Sequence, residues 1–272
     1  MPLSAGVPAP YVDYSPLDLS RRFGGADRLY GASGAQRLHA AHVVVVGIGG
    51  VGSWAAEALA RTGVGRITLI DLDHVAESNV NRQIQATSAT LGMAKIAAME
   101  QRIASINPVC QVTGKDAFVE PGNWPAILPS GVDGVIDACD QMRAKVTMAA
   151  WALSERRIFF ITVGAAGGKR RAELLNIGDL STCTHDPLMA ALRHQLRRDH
   201  GAAKQGKNIG VSCVFSAEPM TLPVHHNEAL DGDLRIDAGL NCRGYGSVVT
   251  VTATCGMLAA GWMLNKLSGV GK

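Results

Sequence analysis

Along this chain, short β-branched runs alternate with alanine-rich helical stretches. His42–Val46 carries four consecutive valines, the signature of a strand buried on both faces. Ser53–Arg61 then predicts a helix, Arg66–Asp71 a second strand and Lys95–Ile106 a second helix, which Asn107-Pro108 stops. Cys110–Thr113 and Gly134–Asp137 read as strands, Met142–Arg157 as a helix and Arg157–Val163 as a strand running into the glycine cluster at 164–168. Strands and helices alternating at this spacing predict an α/β fold: a doubly wound, mostly parallel sheet of Rossmann-like type with helices on both faces.

The regular alternation fails after Gly168. Residues 169–235 hold a basic helical piece, glycine-flanked segments and the polar run His225–Asp233, and read as an insertion packed over one edge of the sheet. A last strand–helix unit, Gly246–Lys266, closes the chain. Its nearly uncharged stretch, Gly246 to Leu264, is at the lower limit for a membrane span. Its threonines and glycines, and the alternation of its first part, favour a buried element over membrane contact. Prolines at 2, 8, 10 and 16 mark residues 1–20 as a flexible tail without the layout of a signal peptide. Residues 21–272 form one domain carrying the insertion.

Hydrophobic residues make up 47% of the 272 and charged residues 18%, enough apolar material for a large core. The net charge of +3 leaves only local basic patches as a basis for nucleic-acid binding. The six cysteines, at 110, 139, 183, 213, 242 and 255, form no Cys-x-x-Cys pair. No structural zinc and no disulfide framework are therefore expected, and reduced thiols fit a cytoplasmic enzyme.

Chemistry enters at Gly47-Ile-Gly-Gly-Val-Gly-Ser53. Gly47, Gly49 and Gly52 make G-x-G-x-x-G directly after a strand and before a helix, with Gly50 a fourth glycine. Such a turn lets backbone and helix N-terminus approach a phosphate. Asp71, at the end of the next strand, is placed to meet ribose hydroxyls. A dinucleotide dehydrogenase would share these features. The residues beyond Asp71 do not fit hydride transfer: Asp73, then Asn79-x-x-Arg82-Gln83, then Lys95, and a strand ending in Asp137-Ala-Cys-Asp140. Arg82 and Lys95 suit a triphosphate and a pyrophosphate leaving group. Asp140 suits Mg²⁺, which takes one or two carboxylates plus phosphate oxygens. Each has an ordinary alternative (a surface arginine, a helix-end lysine, a helix-capping aspartate), but all fall near the C-terminal edge of one sheet.

These segments resemble the ubiquitin-activating-enzyme-like family, which includes the bacterial adenylating enzymes of molybdopterin and thiamine synthesis. Arg22-Phe-Gly-Gly25 with Arg28-Leu-Tyr-Gly31, the run Gly49 to Gly63, Asp186-Pro-Leu188, Cys213-Val-Phe-Ser216 with Glu218, and Val251-Thr-Ala-Thr254 are similar to its tRNA threonylcarbamoyladenosine dehydratase subgroup, from about residue 20 onward. The resemblance implies ATP and Mg²⁺ as cofactors and leaves room for a monovalent cation, Na⁺ or K⁺. It implies that Gly49 and Gly52 cradle phosphates, that Asp71 holds the ribose and that Asn79, Arg82 and Lys95 contact the triphosphate. Asp140 would handle Mg²⁺. It also implies a homodimer in which an arginine near the N-terminus, Arg22 before Arg28, reaches across to the partner's site.

The implied reaction activates the threonyl carboxylate as an adenylate and closes a ring with loss of water, with no enzyme nucleophile. The tRNA would meet Arg193, Arg197, Arg198, Lys204 and Lys207, joined by Lys169-Arg170-Arg171; a solvated helix face is the ordinary alternative. The competing function is adenylation of a sulfur-carrier or ubiquitin-like protein, with a sulfur-transfer partner and Cys242 as the thiol to weigh. A nucleotide-sensing module without turnover, and a dehydrogenase, come after it.

Overall fold

The computed structural model describes residues 17–155, 157–221 and 245–270. The chain opens with α1 (Leu19–Ala40), two helical pieces meeting at Gly31, capped by the Asp18 carboxylate accepting from the Arg21 amide at 3.0 Å. Next come β1 (His42–Val46), α2 (Gly52–Arg61), β2 (Arg66–Asp71), α3 (Lys95–Ile106), β3 (Gln111–Asp116), β4 (Gly134–Asp137), α4 (Met142–Ser154) and β5 (Phe159–Val163). The second half adds β6 (Leu175–Asp179), α5 (Pro187–Asp199), β7 (Ser212–Ser216) and α6 (Val249–Ser268).

The seven strands lie in the order β3-β2-β1-β4-β5-β7-β6. All neighbours are parallel except β6, which runs antiparallel to β7 at one edge. The order reverses between β1 and β4. There the connections leave the sheet in opposite directions and open a crevice beyond the strands' C-terminal ends, the usual ligand position in such folds.

β1 is buried along its whole length because both faces are covered. Val43 and Val45 point into one core with Leu59, Met99, Val251 and Ala259, from α2, α3 and α6. Val44 and Val46 point into the other with Ala144, Met148, Met189 and Leu192, from α4 and α5.

Two expectations change. Among the described residues after Gly168, two segments join the sheet itself: β7 pairs with β5 through Ile161↔Ser212 and Thr162↔Cys213, and β6 completes the edge. Ser212–Ser216 has a weak β signature, and burial of Cys213 and Val214 decides its place. Nor does the last unit begin with a strand. From Val249 it is one helix, buried at 251, 252, 255, 256, 259, 260, 263 and 264, the spacing of an α-helical face. The alternating threonines suggest a strand, but Thr254 Oγ1 donates to the Thr250 carbonyl at 2.6 Å, a bond internal to a helix. α6 is uncharged up to Asn265 because it is packed against α1, α2 and the sheet. No helix among the described residues is long and apolar enough to cross a membrane.

Smaller boundaries also move: α4 ends at Ser154, β5 starts at Phe159 and β3 extends to Asp116. The run His225–Asp233 and Cys242 lie outside the described residues.

Candidate active site

The pocket at the switch point is lined by the glycine turn, Asp71, Asp73, Arg82, Gln83, Lys95, Cys139, Asp140 and the loop after β5. The turn is shaped by three different requirements. Gly47 has φ 86°, and an added Cβ would press on the Cys139 backbone at 2.9 Å. A Cβ on Gly52 would sit inside the Gly47 carbonyl, so this glycine lets α2 close onto the turn. Gly52 does not line the pocket, whereas Gly49 and Gly50 do. Around Gly49, nothing lies within 4 Å of where a Cβ would stand, so that space is open to a ligand.

Asp71 is nearly buried and takes the Ile48 amide at 2.6 Å and the Asp73 amide at 2.8 Å. Burial raises its carboxyl above the ordinary range, against the pull of Lys95. Two backbone bonds leave part of the carboxylate's acceptor capacity for a hydroxyl. Lys95 opens α3, and its ammonium meets Asp73 at 2.6 Å. Asp73 is half exposed, so an entering phosphate can displace it from a lysine that is itself held in place.

Arg82 donates from Nη1 to the Ser78 carbonyl at 2.6 Å and to Asn81 Oδ1 at 2.9 Å. Nε and Nη2 remain for a phosphate. Its own carbonyl accepts from Trp54 Nε1 at 2.9 Å, which fixes the backbone beneath it. Burial lowers its pKa from an already high value, so it stays charged. The Asn79 side-chain oxygen accepts the Ala76 amide at 3.0 Å, closing the loop, and Asn79 does not line the pocket.

Asp140 lies on the pocket wall, half-buried. Among the described residues no cluster of three or more His, Cys, Asp or Glu side chains stands ready as a metal cage. One wall carboxylate beside a phosphate cradle nevertheless matches the donor set Mg²⁺ takes with a nucleotide.

The motif containing Asp140 is anchored from below by Lys145, which the sequence reading passes over. Its ammonium touches Asp137 and Thr162 Oγ1, both at 3.1 Å, and the Val163 carbonyl at 2.8 Å. Burial alone would lower the Lys145 pKa; Asp137, with Cys139 and Asp140, outweighs it and the pKa is raised. A lysine amid Ala144, Val146, Met148 and Ala149, on the buried side of its helix, is the signal that marks it.

Three expected site residues lie elsewhere. Arg22 donates to the Ile106 carbonyl at 2.7 Å, at the opposite end of α3 from Lys95, so it does not serve the pocket of its own chain. Arg193 is half-buried and pins the Leu180 and Cys183 carbonyls at 3.0 and 2.9 Å; Arg197 binds the Ala203 carbonyl at 3.0 Å. Both guanidiniums are thus engaged in part by backbone carbonyls. Arg198, Lys204 and Lys207 are exposed, Arg198 in a pair with Asp199. Lys169 is fully buried and leaves the expected basic patch.

A model of the ThiF family matches residues 25–272. The chain is 43% identical over 254 residues to tRNA threonylcarbamoyladenosine dehydratase of Escherichia coli (strain K12), covering 91% of this chain and 93% of that protein. It is 40% identical over 249 residues to the Haemophilus influenzae protein of the same name, with the same coverage of 91% and 93%. The crystal structure of E. coli tRNA N6-threonylcarbamoyladenosine dehydratase in complex with ATP superposes with a TM-score of 0.81 at 43% identity, covering 92% of this chain and 95% of that one. Match and coverage together place this chain in the ThiF family.

Proposed function

We propose that this chain is an ATP-dependent enzyme that dehydrates N6-threonylcarbamoyladenosine in tRNA next to the anticodon, by adenylating the threonyl carboxylate and closing a ring. The observation that carries the reading is the near full-length match to dehydratases, one of them solved with ATP, laid on a pocket that gathers Arg82, Lys95 and Asp140 around an open glycine turn.

ATP lies with its ribose at Asp71 and its phosphates over Gly49 and Gly50. The threonyl carboxylate attacks the α-phosphorus, and the bond to the bridging oxygen of the β-phosphate breaks. Pyrophosphate leaves, its charge met by Arg82 and by Lys95 once Asp73 has been displaced. A nitrogen of the threonylcarbamoyl group then attacks the activated carbonyl. The carbon–oxygen bond to AMP breaks, a proton is lost, and a five-membered ring remains. Nucleophile and acyl group belong to one molecule, so proximity supplies much of the acceleration. Asp140 would hold Mg²⁺, which would supply charge neutralisation on the triphosphate. A cytoplasmic homodimer belongs to the same reading; Arg22 serves catalysis there only by entering the partner's pocket.

The test is mass spectrometry of tRNA nucleosides after incubation with protein, ATP and Mg²⁺. Conversion of threonylcarbamoyladenosine to a species lighter by one water, with one AMP per conversion, is expected. Folded, ATP-binding protein that leaves the nucleoside mass unchanged rules it out. Release of AMP only with a peptide ending in Gly-Gly would point instead to activation of a carrier protein.

A further inference from the structure

Lys169 is 1% exposed, and its ammonium is surrounded by backbone carbonyls: those of His185, Ser216 and Glu218, each at 3.3 Å. No carboxylate of the described residues comes within ion-pair distance of it. The three carbonyls come from three separate segments: the turn before α5, the end of β7 and the loop beyond it. One of them carries strain, since His185 has φ 55°, a left-handed conformation uncommon for residues other than glycine.

The residue stands directly after the loop 164–168, whose Gly164, Ala166 and Gly167 form a wall of the nucleotide pocket. That loop is tied down on both sides of the ammonium. Asp186 Oδ2 accepts the Ala165 amide at 2.9 Å, and the Glu218 carboxylate accepts the Arg170 and Arg171 amides at 3.0 and 2.8 Å. Asp186, Ser216 and Glu218 all lie in motifs the nucleotide turn does not use.

We propose that the Lys169 ammonium is a tethered monovalent cation, which gathers the three carbonyls and thereby positions the pocket wall formed by residues 164–168. An unpaired cation in a carbonyl cluster is the arrangement proteins use for alkali ions. Here the side chain carries the charge covalently, so this cluster takes no diffusible ion in the native chain. Lys169 is a positioning residue, since it is buried and does not line the nucleotide pocket. Its effect on turnover rests on the function proposed above; occupancy of the cluster does not.

The experiment compares Lys169→Ala, which leaves room for an ion, with Lys169→Met, which fills the space without charge. Each is purified in KCl and exchanged into choline chloride, KCl, NH₄Cl or thallium(I) acetate. In choline, both variants should bind ATP at least about tenfold more weakly than the native chain. K⁺ or NH₄⁺ should restore ATP binding and raise the thermal midpoint of Lys169→Ala alone, leaving Lys169→Met and the native chain unmoved. Crystals of Lys169→Ala should show anomalous thallium scattering where Nζ stood. The proposal is overturned by a Lys169→Met chain that binds ATP normally, by a Lys169→Ala chain that no cation restores or occupies, or by one that folds in neither KCl nor choline. If thallium fills the cluster while no substrate turns over, only the assigned reaction is lost.

Discussion

The Lys145 ammonium lies 3.1 Å from the Asp137 carboxylate, and neither side chain reaches solvent. The pair joins α4 to the end of β4, the point from which Ala138, Cys139 and Asp140 run along the pocket wall. Asp137 Oδ1 takes the Cys139 amide at 3.2 Å, while Oδ2 faces Lys145 and Thr162. One buried charge pair therefore sets the direction in which Asp140 leaves the strand.

Breaking the pair should cost more than removing it. Lys145→Met leaves a buried carboxylate with no counter-charge, a loss of about 3–5 kcal/mol in comparable cases. Asp137→Leu strands the ammonium in the same way. The double variant should be clearly more stable than the sum of the two losses requires. Urea unfolding of all four proteins measures this, and simple additivity would show that the two groups do not act as a pair.

The glycines of the turn should separate by what they do. Gly52→Ala places a methyl against the Gly47 backbone and should destabilise by roughly 2–3 kcal/mol or more, with a thermal midpoint lower by several degrees. Gly49→Ala meets no protein atom, so the midpoint should barely move while ATP affinity falls. Calorimetry with and without ATP distinguishes them. Equal loss of stability in both would mean that Gly49 serves packing and not the ligand.

The first half of the fold is legible in the sequence because it obeys local rules: β1, β2, β4 and α3 are expected at the bounds the structure shows. The valine run of β1, the short apolar runs of β2 and β4 and the Asn107-Pro108 stop report conformation locally. The second half is less legible because tertiary packing decides it. Ser212–Ser216 becomes a strand by filling the slot between β5 and β6, and the threonines of α6 imitate a strand's alternation. In the site, Gly49, Asp71, Arg82, Lys95 and Asp140 do share one pocket. That backbone groups engage Asn79 and Arg193 is not legible, because a polar side chain's sequence position does not say what will bond to it. Lys145 and Lys169 hide for the converse reason: burial of a lysine is legible only once its partners are placed.

The tRNA surface should follow exposure and not composition. Lys204→Glu with Lys207→Glu should weaken tRNA binding uniformly across tRNA sequences and flatten its salt dependence, with the folding midpoint unchanged. Arg193→Ala should do the opposite, because it strips two carbonyls of their donor while leaving the exposed face intact. Filter binding over a salt series and thermal unfolding supply both readouts. A weaker tRNA complex from Arg193→Ala at unchanged stability would return that residue to the interface.

The thiols give stability a pH dependence of definite sign. Burial pushes Cys110 up to about 11 and Cys255 up to about 12. Burial also holds Cys139 well above the ordinary thiol range, with the Asp137 carboxylate adding to the effect. In the unfolded chain these thiols lose their protons near about pH 8.5. The stability they contribute is therefore complete below that pH and is lost as pH rises through the folded values. The thermal midpoint should fall between about pH 9 and pH 11, and Cys110→Ala or Cys255→Ala should make the fall shallower. At pH 8 a thiol with a pKa of about 11 is roughly 200-fold poorer in thiolate than an unperturbed one, and iodoacetamide should label Cys110 correspondingly slowly. Cys139, although it lines the nucleotide pocket, should resist labelling in the same way with ATP present or absent. Rapid labelling of Cys139 at pH 8 would reopen the case for transfer to sulfur within the pocket.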